Sequence, residues 1–153
     1  VAAMVSVESA WLAARGHPAD LSGPSDLSAL FDEGGGNPVI PLLKLLRAAN
    51  PSLAEHLHTG LTRQDVLDTA LVLCLRSATA KTLQNLHQQV YALAGLADRH
   101  RGTRMVARTL TQHAIPTTFG LKAANWLHAI LDARDMLTSS AELPIQIGAA
   151  AAM

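Results

Sequence analysis

The 153-residue chain carries 12 basic and 12 acidic side chains, 49% apolar residues, only 3% aromatics and a single cysteine. A formal charge of zero at neutral pH gives it no global field toward nucleic acid or an anionic membrane. The lone Cys74 excludes an internal disulfide and a multi-cysteine zinc site, and it fits a reducing, cytoplasmic compartment.

Ala and Leu together make up roughly a third of the residues. With few aromatics and few β-branched runs, such a core predicts a helix bundle. No apolar run reaches the roughly 18 residues of a membrane span, and the opening residues lack the pattern of a secretory signal. "VAAMVSVESAWLAARG" already reads as mid-helix and "GAAAAM" stops without a cap, so both edges suggest a piece of something longer.

The first helix is expected from Ala2 to Arg15, closing at Gly16 with Pro18 beyond it. "HPADLSGPSDLSALFDEGGGNP" is turn-rich, with a short helical turn at Asp26 to Phe31. Asn37 precedes Pro38 and is placed to cap "PVIPLLKLLRAAN". Ser52 with Glu55, and then Thr62 with Asp65, have capping-box spacing. The second box starts the longest helix, about Gln64 to Asp98. Within it "ALVLCL", Ala70 to Leu75, is apolar on every side and predicts burial all round, Cys74 included. Thr79, Leu83, Leu86, Val90, Leu93 and Ala97 form a heptad seam, and no formal charge lies between Lys81 and Asp98. That face asks to be enclosed, by further helices or by other subunits. "DRHRGTRMVARTLTQ" interrupts the helical pattern. A second long helix is expected from Pro116 to about Ser140, with Phe119, Ala123, Trp126, Leu127, Ile130 and Leu137 along one face and Pro144 ending it.

Four polar groupings carry possible chemistry. His58, Thr62, Arg63, Gln64 and Asp65 read either as a helix cap or as a site. In the second case a helix N-terminus receives a substrate carboxylate while His58 moves a proton. "RTLTQHAIPTTFG" is a hydrogen-bonded turn or a site. "GGGNPVIP" has no phosphate-loop spacing, so nucleotide binding is not expected. Arg99, Arg101, Arg104 and Arg108, with His100, form a solvated face or an intersubunit ion-pair site; no aromatics interleave them as nucleic-acid binding asks. The seven histidines show no HExxH pattern, so no metal is expected.

Together the segments resemble the fumarase/aspartase superfamily. "HTGLTRQDVLDTAL" is similar to its H-x-G-[AL]-T-S-x-D-x-x-D-T-A-L segment, and "RTLTQHAIPTTFGLKAANWL" to its G-R-T-x-x-Q-x-A-x-P-x-T-F-G segment, in the same order. Within the superfamily the resemblance runs to the 3-carboxy-cis,cis-muconate cycloisomerases. "GNPVIPLLKLLR" matches a segment of theirs, and Leu110 stands where many lyases carry a histidine in R-T-H-x-Q.

The resemblance implies an all-α long-helix bundle. Residues 1–61 form an N-terminal helical region incomplete at its start, and 62–153 the first part of the central bundle domain, incomplete at its end. It implies a cofactor-free reaction on a small polycarboxylate and a homotetramer with sites shared between subunits. His58 is the proton-handling candidate; Asn37, Thr62, Arg63 and Gln112 are the substrate-binding ones. Arg63 stands where the family has serine. The family's mobile G-S-S-x-M-P-x-K-x-N loop is absent from these residues, so the chain alone is expected not to turn over substrate. The alternatives are a lyase of the adenylosuccinate or argininosuccinate kind, against which Leu110 counts, and a non-catalytic helical oligomerisation module.

Overall fold

A computed structural model of the chain describes residues 1–31 and 35–148. The first glycine of "GGGNPVIP" and the last five residues of the closing alanine-rich run lie outside them. The chain divides into two units, one formed by Val1–Leu75 with the segment that starts at Leu143, the other by Arg76–Glu142.

In the first unit, α1 spans Ala2–Ala14. Gly16, at φ 86°, ends it as expected. The Gly16 N–H donates to the Ala13 carbonyl and the His17 N–H to that of Leu12, which satisfies the last orphan carbonyls of the helix. A 3₁₀ turn at Ser28–Leu30 follows, where the Ser28 backbone N–H and then its side chain hold the Asp26 carboxyl below its ordinary range. Helix α2, Val39–Ala49, begins where Asn37 Oδ1 accepts the Val39 N–H at 3.1 Å. Leu12, Leu21, Leu30, Leu42, Leu46 and Leu57 form one buried cluster; Val39, Leu43, Leu61 and Val66 form another. These two clusters seat α1, α2 and the 51–62 connection against the start of the longest helix.

That helix, α3, is Arg63–Arg99, 37 residues, or ~55 Å at the usual rise of 1.5 Å per residue. Its first two turns bury Asp65, Val66, Thr69 and Ala70. The expectation of all-round burial for Ala70 to Leu75 is corrected here: Leu71, Cys74 and Leu75 are exposed. An apolar run specifies that a helix wants cover, not that its own chain supplies it.

In the second unit every residue of the predicted seam, from Thr79 to Ala97, is half-buried, while Gln84, Asn85, His87, Gln88 and Gln89 are exposed. The interruption after α3 is a β-hairpin, an addition to the expected helices. β1, Arg104–Thr109, pairs antiparallel with β2, Gln112–Thr118. Pro116 lies opposite Val106 in β2, so the helix expected to open there begins three residues later: α4 spans Phe119–Ser139, with the Thr118 hydroxyl accepting the Leu121 N–H. The fixed φ of proline suits a strand edge as well as a helix start. Between the Val106–Pro116 and Arg108–His113 pairs β2 carries one extra residue, a bulge beside the proline.

The hairpin turn is Leu110-Thr111, with φ 45° and 67°. Two positive φ angles in a two-residue loop favour Asn-Gly, and a β-branched residue there is strained. Replacing Leu110 and Thr111 by Asn and Gly is therefore expected to stabilise the hairpin by about 1–2 kcal/mol. Thermal melting of the double variant checks this, and an unchanged or lower midpoint counts against the strain.

Candidate functional site

The 51–62 connection is fixed from two sides. From α2, Arg47 donates through Nε to the Ala54 carbonyl at 3.2 Å and through Nη2 to that of Leu57 at 3.1 Å. From α1, Glu8 and Trp11 lie three residues apart, hence on one helix face. Trp11 Nε1 donates to the Thr59 carbonyl at 2.9 Å. Glu8 is fully buried, and both its oxygens serve His58: Oε2 accepts the backbone N–H at 3.1 Å and Oε1 meets Nδ1 at 2.7 Å. His58 itself has φ 65°, in the left-handed region, and its side chain keeps 14% exposure. Histidine tolerates that region better than most residues, and the bond to Glu8 holds it there.

Four residues on, the Thr62–Asp65 box is formed as its spacing predicted. The Thr62 N–H donates to Asp65 Oδ2 at 2.8 Å and the Asp65 N–H to Thr62 Oγ1 at 3.3 Å. Asp65 is buried and Thr62 half-buried. Helix geometry leaves the N–H groups of Arg63 and Gln64 without an intrahelical acceptor, and the positive end of the α3 dipole lies there. Arg63 is exposed, as befits a position from which a guanidinium can reach outward. The capping and site readings are therefore compatible: the box orders the helix end and His58 stands just ahead of it.

Asn37 is two residues before Val39, which shares a buried cluster with Leu61 and Val66 at the same helix end. His58, Thr62, Arg63 and Asn37 thus belong to one unit. Gln112 belongs to the other, exposed at the start of β2 beside the Leu110-Thr111 turn, where Leu110 is 93% exposed. The residue missed by sequence reasoning is Glu8. Its signal was available: it is the only charged side chain between Val1 and Ala14, in an otherwise apolar helix.

Residues 37–153 match the family model described as lyase. The chain is 47% identical over 120 residues to a nitrosuccinate lyase of Streptomyces davaonensis, covering 75% of this chain and 25% of that protein. It is 42% identical over 134 residues to a 3-carboxy-cis,cis-muconate cycloisomerase of Bradyrhizobium diazoefficiens, covering 82% and 30%. The crystal structure of a 3-carboxy-cis,cis-muconate lactonizing enzyme from Pseudomonas putida superposes with a TM-score of 0.84 at 30% identity, over 98% of this chain and 40% of that one. The chain thus spans about a quarter to a third of the length of these curated relatives. With its two motifs in order on a helical scaffold, and a family match over most of its length, the chain belongs to the lyase family of the fumarase/aspartase superfamily.

Proposed function

We propose that this chain supplies part of the active site of a 3-carboxy-cis,cis-muconate cycloisomerase, a cofactor-free enzyme assembled as a homotetramer in the cytoplasm. The observation that carries this reading is the His58 imidazole, held 2.7 Å from a buried carboxylate and four residues ahead of a helix N-terminus. Such an arrangement suits proton transfer on a substrate rich in carboxylates. In the reaction a carboxylate oxygen of the substrate bonds to a carbon of the diene while a proton adds at the neighbouring carbon, closing a γ-lactone. The reverse removes that proton and breaks the C–O bond, so atoms balance with no other reactant. His58 handles the proton. The Thr62 hydroxyl and the α3 N-terminus hold one carboxylate, Arg63 grips another, and Asn37 and Gln112 add hydrogen bonds. Leu110, in place of a histidine, favours the cycloisomerase over lyases that use that group.

A second reading has its own support in the 47% identity to a nitrosuccinate lyase. There the same proton handling would accompany cleavage of a C–N bond and departure of nitrite. One pair of assays on the full-length protein separates the two. With 3-carboxy-cis,cis-muconate, loss of the conjugated ultraviolet absorbance is expected. With nitrosuccinate, no nitrite is expected. Nitrite release without loss of the diene moves the assignment to the second reading, and silence in both assays overturns both.

A further inference from the structure

We infer that Glu8 is a positioning residue that fixes the ring tautomer of His58, leaving Nε2 as its proton-accepting nitrogen. The inference deepens the proposed function and rests on His58 handling the proton. Glu8 is buried to 0% exposure on α1, yet both its oxygens are spent on a single residue 50 positions away. To hold the connection in place, one acceptor for the His58 N–H would suffice, and Trp11 on the next turn already ties down Thr59. The second oxygen, on Nδ1, does something else. An ionised carboxylate can only accept, so the ring nitrogen facing it carries the hydrogen and the lone pair falls to Nε2. Burying a carboxylate is costly unless its hydrogen bonds are made, and these two bonds make them. They also orient the ring, since the same carboxylate fixes the His58 backbone in its left-handed conformation.

Glutamine at position 8 tests the tautomer with little change of shape. Its carbonyl can keep the bond to the His58 N–H, but its NH₂ then faces Nδ1 and requires the opposite tautomer, with hydrogen on Nε2. The same chemistry governs a Ser-His-Asp triad whose aspartate is exchanged for asparagine, where the geometry survives and the tautomer is wrong.

The experiment uses full-length protein labelled with ¹⁵N-histidine, with the His58 resonances assigned by their absence in His58→Gln and read by solid-state NMR. Wild type is expected to show hydrogen on Nδ1, and Glu8→Gln to show it on Nε2. The kcat of Glu8→Gln should fall by about 10²–10⁴-fold with KM little changed, and Glu8→Asp, which keeps a pure acceptor, should recover part of the loss. Hydrogen on Nε2 in wild type overturns the inference with no variant needed, even where Glu8→Gln fails to fold. An unmoved tautomer in a folded Glu8→Gln overturns it as well, whatever the rate. Full activity in Glu8→Gln beside an inactive His58→Gln overturns the inference alone. Full activity in His58→Gln removes the proton role of His58 first, and this inference with it.

Discussion

Exchanging His58 for glutamine is expected to lower kcat of the full-length enzyme by about 10²–10⁴-fold, the usual worth of a general acid–base group. Glutamine can still present an N–H to Glu8 Oε1, which lies 2.7 Å from Nδ1 in the native protein, so the connection keeps its anchor. What it cannot do is take up or release a proton near neutral pH. The change therefore isolates chemistry from packing. A modest stability loss accompanies it, because the backbone at φ 65° suits glutamine less well than histidine. Steady-state kinetics with 3-carboxy-cis,cis-muconate, alongside a urea melt, separates the two effects. An unaltered kcat removes His58 from the mechanism.

Gly120→Ala is expected to destabilise the protein by about 3 kcal/mol, at the upper end of overpacking costs. A β-carbon at Gly120 would come within 2.7 Å of the Ala97 carbonyl oxygen, the His100 carbonyl oxygen and the Arg101 Cα. All three are backbone atoms, so no side chain can turn aside. The start of α4 would have to lift away, straining the Gly120 N–H bond to His100 and the Phe119 N–H bond to Thr103, both 2.9 Å. The edge-to-face contacts of Phe119 with His100 and Trp126 would loosen too. The sign is diagnostic. Within a helix, alanine is normally favoured over glycine by about 1 kcal/mol, so a neutral or stabilising result in denaturant unfolding would show that the close approach does not exist.

The glycine of "PTTFG" illustrates what the sequence held and what it withheld. The motif was legible, but its reason lies in three backbone atoms contributed by the end of α3 and the residues just after it. Helix ends that rest on local chemistry were also legible: Gly16 closing α1, Asn37 ahead of α2, the Thr62–Asp65 box opening α3. The seam from Thr79 to Ala97 was readable because a heptad is itself a local pattern. The hairpin was not. Its two strands are short, its turn uses Leu-Thr instead of a glycine-bearing pair, and its Pro116 imitates a helix start. Cys74 and its neighbours were misplaced because hydrophobicity reports a preference for cover without saying who provides it. Among the site candidates, His58, Thr62, Arg63 and Asn37 fell in one unit, and Gln112 in the other. Glu8 escaped notice because its partner is 50 residues away and no spacing rule links them.

The grip of α1 on the 51–62 connection has a consequence for anyone who would transplant this chemistry. A designer grafting "HTGLT" onto another helix end would carry over the histidine, the cap and the turn, and would leave behind the carboxylate and indole that hold them. The graft would inherit the lettering of the motif with a ring free to choose either tautomer. A working transfer needs a buried acid and a tryptophan three residues later on a second helix, two positions that no reading of the motif itself would copy.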